Sequence, residues 1–389
     1  MMPRSILEWL LLGPVIGGSV YAILCLLTVI AFKRGTPGGP RRAFSSWPPV
    51  TILKPVHGLE KNLRENLRSA CLQEYPEFQV VFSVQASDDP AIPLLREIQR
   101  EFGSERVSVA VDDTQVAPNG KIKNLLGGLP HARYEILVIS DSDVRLRPDY
   151  LKAIVAPLAD PGIGCVCTLY KATAAKTWYE KMELLTLNAD FLVNVVFAHV
   201  TGASKFCLGA STAIRRSTMK EIGGFEALAD YLVEDHEMGR RIWISGKTIA
   251  IVPYFVETVV DLANPAQWWT HQVYWDQNTR SAQPLGFFCT VAVRSVPFAL
   301  LFALARLGDP LGLAVLTAAL AIRLGTAAVM LGWGFRDAES VRSLWLLPAR
   351  DVAGLGSWFL AFTRRTVVWR GAEFILTRNG RMVSRSGRS

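Results

Sequence analysis

The sequence is poor in charged residues and has no paired cysteine motif. Only 20% of its 389 residues are charged, 50% are hydrophobic, and the mean hydropathy is +0.24. This balance excludes a disordered chain and a coiled coil. The six cysteines are scattered and none forms a CxxC pair, so neither a zinc motif nor a disulfide framework is indicated. A reducing compartment is the simplest interpretation, and no internal repeat is visible.

The excess of positive charge is also small. The chain has 42 Lys and Arg against 34 Asp and Glu, which gives a formal net charge of +8. We attribute this excess to cytoplasmic flanks of membrane segments that face anionic lipid. The sequence therefore predicts a membrane protein with a substantial water-facing part, with the lipid bilayer as a partner and no nucleic acid.

Residues 6–32 form an apolar run that is long enough to cross a hydrocarbon core of roughly 30 Å. The run is too long for a cleavable signal peptide and lacks a clear small-x-small cleavage site. More basic residues follow the run than precede it, so the positive-inside rule places the chain after it in the cytoplasm. These residues are Lys33, Arg34, Arg41 and Arg42 after the run and Arg4 before it.

Apolar runs return after Pro284. Residues 286–307 and 310–335 are each long enough to span a membrane. Residues 343–362 are long enough too, but Arg350 and Asp351 each cost a few kcal/mol at a helix centre. An arginine-rich tail follows, and a cytoplasmic tail requires an even number of crossings after the water-facing domain. We therefore expect two full crossings and a re-entrant or interfacial segment at 343–362.

Residues 49–264 alternate between short apolar runs and helix-like stretches. Such alternation predicts an α/β domain with a mostly parallel sheet, whose ligands bind beyond the carboxyl ends of the strands. The predicted strands are 50–55, 78–85, 106–111, 134–143 and 163–167, and predicted helices include 60–73 and 91–102.

Acidic residues follow these predicted strands. Asp141 and Asp143 come directly after an apolar strand, and two carboxylates at such a point can share one divalent cation that bridges to substrate phosphates. A lone DxD is weak, because exposed turns also favour Asp. Asp88-Asp89, the Gly-containing loop 119–124 and Glu234-Asp235 add a second acidic pair, two ammonium groups and a further carboxylate. Together they predict a nucleotide-diphosphate site with a spare carboxylate.

The order and spacing of these segments resemble a known family. The chain is similar to the GT-A-fold glycosyltransferases of the family 2-like superfamily, and most closely to the ceramide glucosyltransferase family, family 21. The resemblance covers roughly residues 1–280. The segments that carry it are TILKPVHG (51–58), EYPEFQVVFSVQASDDPA (74–91), NGKIKNL (119–125), ISDSDVR (139–145), GASTAIRR (209–216), IGGF (222–225) and YLVEDHEMGRRI (231–242).

The resemblance implies roles for individual residues. It assigns Asp89, with its neighbour Asp88, to nucleotide binding. It assigns Asp141 and Asp143 to the donor phosphates and to Mg²⁺ or Mn²⁺, and Asp235 to the catalytic base. Lys54, Pro55 and Lys121 lie in matching segments and are expected at the donor site.

One motif departs from the family. A (Q/R)xxRW signature is expected near the membrane, and the corresponding stretch here is His271-Gln272-Val273-Tyr274-Trp275. Only Trp275 matches, while His271 replaces Gln or Arg and Tyr274 replaces Arg. Losing that Arg removes a fixed bidentate cation, which changes how the donor diphosphate is neutralised. We keep all three residues as donor-binding candidates.

The resemblance implies an inverting transfer of glucose from UDP-glucose to a ceramide hydroxyl. Three alternatives stay open: another lipid acceptor such as a hopanoid or another donor such as UDP-N-acetylglucosamine, a processive polysaccharide synthase, and a non-catalytic lipid-binding scaffold. Residues 178–200 form either a core helix or a wall of a lipid groove.

The expected organisation is that of a multi-pass protein of a bacterial-type inner membrane or its equivalent. Its parts are an anchor at 1–35, a linker at 36–48, a cytoplasmic GT-A domain with membrane-proximal helices at 49–285, a membrane region at 286–363 and a basic cytoplasmic tail at 364–389.

Overall fold

The computed structural model describes residues 5–35, 43–363, 366–369, 372–377 and 380–384. The chain divides into two compact units. The sheet unit comprises Pro37–Lys171, Ser204–Asp261 and Val368–Ser389, and the helical unit comprises Met1–Thr36, Ala172–Ala203 and Leu262–Val367.

Strands and helices alternate through the first two thirds of the chain. The strands are β1 Val50–Pro55, β2 Phe78–Val84, β3 Val107–Val111, β4 Ile136–Ser140, β5 Val144–Arg145, β6 Ile163–Thr173, β7 Ser211–Arg215, β8 Thr248–Val259, β9 Thr366–Trp369, β10 Ala372–Leu376 and β11 Met382–Ser384. The helices are α1 Ile6–Arg34, α2 Leu63–Cys71, α3 Ile92–Phe102, α4 Gly120–Gly128, α5 Tyr150–Val155, α6 Trp178–Leu185, α7 Leu192–Val200, α8 Arg216–Glu221, α9 Glu234–Ile244, α10 Pro265–Ala282, α11 Pro284–Cys289, α12 Ser295–Ala305, α13 Pro310–Val329, α14 Ala338–Arg342 and α15 Leu347–Thr363.

In the described part of the chain, eight strands form one sheet in the order β3-β2-β1-β4-β7-β6-β8-β5. Strands β3, β2, β1 and β4 run parallel, with Ile52 of β1 beside Val80 of β2 and Val138 of β4. Strand β7 is antiparallel to β4 and to β6, and β5 is antiparallel to β8. The predicted α/β domain with a mostly parallel sheet is confirmed.

The apolar strands are buried because the sheet is covered on both faces. All residues of β1 and β2 are buried, as expected for central parallel strands. Helix α3 turns Leu95 and Ile98 into this core. Helix α2 begins at Leu63, later than the predicted 60, because its N-cap Asn62 has a left-handed backbone with φ 59°.

The predicted basic tail contains strands. Strands β10 and β11 pair as an antiparallel hairpin within the described parts of 364–389. The hairpin bonds to the segment that precedes α9, since Leu232 N–H donates to Gly380 O at 3.1 Å and Met382 N–H donates to Asp230 O at 2.7 Å. Residues 36–42 of the predicted linker and 364–365, 370–371, 378–379 and 385–389 of the tail lie outside the described residues.

In the described residues of the helical unit, three helical stretches are long and apolar enough to cross a membrane. They are Ile6–Arg34, Trp178–Val200 and Pro310–Gly334. The first and third match the predicted spans. The second is the stretch whose sequence left a core helix and a groove wall as alternatives.

The predicted span at 286–307 is a bent pair and not one straight helix. Helices α11 and α12 are separated by a turn at Thr290–Val293, and the two halves are bent by 48°. Gly17 and Gly18 of α1 lie against this break. A Cβ on Gly17 would stand 2.6 Å from Ala292 O, and one on Gly18 would stand 2.5 Å from Val293 O. The two glycines therefore permit direct backbone contact, as small residues do between membrane helices.

The charges that argued against a crossing at 343–362 have partners. Arg350 pairs with Asp190 and lies 3.2 Å from Asp351. Arg323 lies 2.9 Å from both Asp190 and Asp351. Pairing lowers the cost of these charges in an apolar surrounding. The re-entrant or interfacial placement of this segment stays a prediction.

The grouping of residues differs from the predicted boundaries. Residues 172–203 and 262–285 cluster with α1 in the helical unit, whereas the sequence placed them in the domain at 49–285. Their side chains bond to other helices of that unit: the Tyr21 hydroxyl of α1, for example, donates to Asn194 Oδ1 of α7 at 2.9 Å. The sequence pattern alone did not indicate these partners.

Candidate active site

A buried lysine holds the acidic turn at the end of β4. Lys54 of β1 is fully buried, and its Nζ donates to Asp141 O at 2.6 Å and to Val144 O at 3.0 Å. Burial lowers the pKa of Lys54 to about 8, against the opposing effect of the Asp143 and Asp141 charges. The sequence assigned Lys54 to the donor. That role stays a prediction, and in the structure the ammonium group of Lys54 fixes the backbone that carries the two aspartates.

The two carboxylates of this turn have different surroundings. The Asp141 side chain is 31% exposed and pairs with Lys121 at 2.8 Å. Asp143 accepts a hydrogen bond from Thr258 Oγ1 at 2.7 Å. Burial and the neighbouring charge of Asp141 raise the pKa of Asp143. Both groups offer hard oxygen ligands, and the raised pKa marks negative charge that a cation would relieve. The residues therefore fit a divalent cation of the Mg²⁺ or Mn²⁺ type.

Lys121 connects three segments of the site. It lies in the first turn of α4, where Asn119 caps the helix by accepting from the Lys121 and Ile122 N–H groups. Its Nζ lies 2.8 Å from Asp141 Oδ1 and 3.1 Å from Glu234 Oε1, and it donates to Gly209 O at 2.8 Å. Burial alone would lower the pKa of Lys121, but Asp141 and Glu234 raise it above the usual value. Lys121 is thus a fixed positive charge beside the acidic turn.

Asp235 and Glu234 are adjacent but are bonded differently. Glu234 pairs with Lys121 and accepts from Asn119 Nδ2 at 3.1 Å. Asp235 accepts from the Gly209 N–H at 2.8 Å and from the His236 N–H at 2.7 Å. Burial and the charge of Glu234 raise the pKa of Asp235 to about 7, although Lys121 opposes the shift. A carboxylate with this pKa can exchange a proton near neutral pH.

The acidic pair after β2 lies on a separate loop. Asp89 is buried, and its carboxylate accepts from Gly58 N–H at 3.0 Å and from Ala91 N–H at 2.8 Å, with His57 Nδ1 at 3.3 Å. These bonds tie the loop after β1 to the start of α3. Asp88 is exposed, and Pro55 is buried at the end of β1.

The residues that correspond to the (Q/R)xxRW signature lie on α10, and His271 contacts Glu183 of α6. Trp275 Nε1–H donates to His271 Nε2 at 3.0 Å, and His271 Nδ1 lies 2.9 Å from Glu183 Oε1. An indole N–H is only a donor, so Nε2 is the acceptor and Nδ1 carries the proton that is donated to Glu183. Tyr274 stacks on His271 with ring centroids 6.3 Å apart.

The structure distributes the predicted residues over both units. The sheet unit holds Lys54, Pro55, Asp88, Asp89, Lys121, Asp141, Asp143 and Asp235, and the helical unit holds His271, Tyr274 and Trp275. Within the sheet unit, Lys121 gathers Asp141, Glu234 and the Gly209 loop that bonds to Asp235.

Three residues of the site were not identified from the sequence. Gly209 bonds to Asp235, Thr258 bonds to Asp143, and Glu60 accepts from the Ser142 hydroxyl at 2.7 Å. Gly209 begins the matching segment GASTAIRR, and that position was the available signal. Thr258 and Glu60 lie in segments with no distinguishing motif.

Comparisons with known proteins agree with the fold. A mannosyltransferase from Pyrobaculum calidifontis, solved in complex with GDP-Man and Mn²⁺, superimposes with a TM-score of 0.55 at 20% identity, over 91% of this chain and 99% of that one. This likeness shows a shared fold.

Two relatives named as ceramide glucosyltransferases match part of the chain. Ceramide glucosyltransferase 1 of Caenorhabditis elegans is 26% identical over 208 residues, which are 52% of this chain and 44% of the relative. The ceramide glucosyltransferase of Candida albicans is 31% identical over 121 residues, which are 28% of this chain and 22% of the relative. The chain thus matches less than half the length of these relatives.

The sequence profile of glycosyl transferase family 21 matches residues 14–382, which is most of the chain. The resemblance inferred from the motifs is thereby confirmed: the chain belongs to glycosyl transferase family 21.

Proposed function

We propose that this chain is a membrane-bound, inverting glycosyltransferase that moves glucose from UDP-glucose to the hydroxyl group of ceramide. The family and the name of its relatives support the donor and acceptor classes. The observation that carries the mechanism is Asp235, a carboxylate held by two backbone N–H groups with a pKa of about 7.

Asp235 is the general base of the proposed reaction. It takes the proton of the acceptor hydroxyl as the acceptor oxygen bonds to the anomeric carbon of the sugar. The bond from that carbon to the diphosphate oxygen breaks, and UDP leaves with the electron pair. One in-line displacement inverts the configuration at the anomeric carbon. Glu234 is a weaker candidate because its carboxylate is paired with the Lys121 ammonium group, whereas Asp235 accepts from neutral backbone N–H groups.

Asp141 and Asp143 would hold Mg²⁺ or Mn²⁺, with Asp143 aligned by Thr258. When bound, such a cation neutralises the charge of a departing diphosphate. Lys121 supplies a second positive charge next to Asp141, and Lys54 keeps the acidic turn in place through its two backbone carbonyls. We retain Asp88, Asp89, Pro55, His271, Tyr274 and Trp275 as proposed donor-binding residues.

The catalytic part is proposed to face the cytoplasm. Lys33 and Arg34 end α1, and the chain enters the sheet unit after them. The membrane-spanning stretches of the helical unit would bring the enzyme to its lipid acceptor.

The experiment uses solubilised full chain with radiolabelled UDP-glucose, UDP-galactose or UDP-N-acetylglucosamine. Each donor is offered with ceramide, with a hopanoid or without lipid, and products are separated by thin-layer chromatography. The Asp235→Asn variant gives the background. We expect labelled glycolipid from UDP-glucose and ceramide.

The other outcomes contradict the proposal in distinct ways. Label in another lipid contradicts ceramide as the acceptor. Label from another nucleotide sugar contradicts UDP-glucose as the donor. Label that stays at the origin without lipid indicates a processive polysaccharide synthase. Lipid binding without transfer from any donor indicates a scaffold protein.

A further inference from the structure

Three cysteines meet in the interior of the sheet unit. Cys165 and Cys167 lie two residues apart on β6 and so point to the same face, and Cys207 lies in the loop before β7. Their relative exposures are 0%, 0% and 2%. The three Sγ atoms lie within 4.8 Å of one another, and those of Cys165 and Cys207 are 2.9 Å apart. The sequence does not indicate this site, because a CxC pair followed by a third cysteine 40 residues later matches no metal-binding motif.

The surroundings favour a thiolate. The Leu208 N–H donates to Cys167 Sγ at 3.3 Å, and Thr212 Oγ1 lies 3.4 Å from the same sulfur. The backbone N–H of Leu208 is a donor that favours negative charge on this sulfur. Thiolate, and not thiol, is the form that binds metal ions.

The ligand set selects a class of ion. Two sulfurs bound to one ion at about 2.3 Å lie about 3.8 Å apart in tetrahedral geometry, so small side-chain shifts would let the three sulfurs enclose an ion. Structural zinc takes four ligands from Cys, His, Asp or Glu. Among the described residues of these types, the cluster brings together three sulfurs and no nitrogen or carboxylate oxygen. Soft thiolates without such a fourth ligand suit Cu(I).

We propose that Cys165, Cys167 and Cys207 form a buried binding site for a soft cation, Cu(I), which is separate from the hard-cation site of Asp141 and Asp143. The two sites differ in ligand chemistry, sulfur against oxygen, so an ion suited to one is poorly suited to the other.

The thiolate site adjoins the proposed base through one short loop. Cys207 N–H donates to Asp235 O at 3.3 Å, and Gly209, two residues later, donates to the Asp235 carboxylate at 2.8 Å. Gly209 has little space, since a Cβ there would lie 3.0 Å from Asp235 Oδ2. Binding an ion moves the Cys207 sulfur from 2.9 Å to about 3.8 Å from Cys165 Sγ. Because Cys207 and Gly209 both bond to Asp235, we expect this movement to disturb Asp235 and Cu(I) to slow transfer.

Ion binding is measured on the detergent-solubilised full chain under anaerobic, reducing conditions. Cu(I) held by the chromophoric chelator bicinchoninate is titrated with protein, and the loss of visible absorbance gives stoichiometry and affinity. We expect one Cu(I) per chain and at least a 100-fold weaker affinity in Cys165→Ser and in Cys167→Ser. Cys71→Ser and Cys289→Ser, which alter cysteines outside the cluster, are the matched controls and keep wild-type binding.

Several results would overturn the site. These are no tight Cu(I) binding by the wild type, equal losses in the control variants, or cysteine-dependent binding of Zn²⁺ in preference to Cu(I). Peptide mapping of protein kept under the same reducing conditions also overturns the site if it finds a Cys165–Cys207 disulfide. Thermal melting of each variant identifies a variant that has failed to fold, and Cys167→Ala then replaces Cys167→Ser.

The effect on turnover rests on the proposed function, whereas binding does not. One equivalent of Cu(I) is expected to lower wild-type transfer at least tenfold and to leave the rate of Cys167→Ser at its own metal-free value. Equal inhibition of both proteins contradicts the coupling. Absence of any transferase activity with intact Cu(I) binding contradicts only the proposed function.

Discussion

The pH dependence of transfer tests the assignment of Asp235 through its neighbour Glu234. A general base works when it is deprotonated, so kcat/KM rises with pH and reaches a plateau above the pKa of the base in the free enzyme. With a pKa of about 7 for Asp235, the wild-type plateau is expected above about pH 7. Glu234→Gln removes the charge that, after burial, contributes most to this raised pKa.

The size of the shift follows from Coulomb's law. The carboxylates of two adjacent residues are on the order of 7 Å apart, and two unit charges at that separation repel by about 2–3 kcal/mol at an effective dielectric constant of about 20. Since one pKa unit corresponds to about 1.4 kcal/mol, removing the charge lowers the pKa of Asp235 by about 1–2 units. Lys121 remains nearby in the variant and still lowers the pKa of Asp235. The ascending limb of kcat/KM therefore moves about 1–2 pH units toward acid.

The assay is initial-rate transfer at limiting UDP-glucose from pH 5 to 9 in constant ionic strength. The control variant is Glu221→Gln, whose side chain is 45% exposed and pairs with Lys247, and it should keep the wild-type profile. At pH 6 the Glu234→Gln enzyme should retain a larger fraction of its own plateau than the wild type does. A limb that stays in place, or moves toward alkali, would refute Asp235 as the base or Glu234 as the source of its shift.

Four further predictions follow from the site and the membrane segments. Asp235→Asn should lower turnover by about two to four orders of magnitude with donor binding near normal, measured by equilibrium binding of labelled UDP-glucose; a near-wild-type rate contradicts the assignment. Excess EDTA should abolish transfer, and Mn²⁺ or Mg²⁺ should restore it; full turnover in EDTA would exclude a required metal ion. Asp143→Asn should weaken donor use while the circular dichroism spectrum stays unchanged. Lys54→Met should destabilise the sheet unit by about 2–4 kcal/mol in urea unfolding, because the carbonyls of Asp141 and Val144 lose a charged donor. An unchanged midpoint contradicts its role in holding the turn. A cysteine introduced at Ser386 should resist an impermeant maleimide added outside intact cells, and labelling there means that residues 343–362 cross fully.

Local sequence patterns predicted the sheet and the acidic turn well. Strands β1, β2 and β4 are apolar runs that stay buried on both faces, so each run defines its own strand. The DxD turn follows from the end of β4 for the same reason. The position of Lys54, in contrast, depends on which strands are neighbours, and that pairing is set by the whole sheet.

The remaining features arise from contacts between distant segments. Lys121 pairs with Glu234 across more than 100 residues, and Cys207 joins two cysteines of β6 from a separate loop. Likewise, the bend between α11 and α12 coincides with close contact against Gly17 and Gly18. Local sequence periodicity does not indicate such long-range contacts, because each of these residues could contact many different partners.

The hairpin of β10 and β11 links the order of synthesis to the assembly of the site. The segment before α9 obtains backbone partners from Gly380 and Met382, which the ribosome adds about 150 residues later. Leu232 is buried, and without the Gly380 carbonyl its N–H loses its partner at a cost of about 1–3 kcal/mol. A product that terminates before this hairpin would therefore contain every proposed catalytic aspartate and still hold Asp235 on a loosened segment. Premature termination late in the chain is therefore expected to lower the rate of transfer through Asp235. A fusion placed close to the hairpin is expected to do the same when it displaces the hairpin.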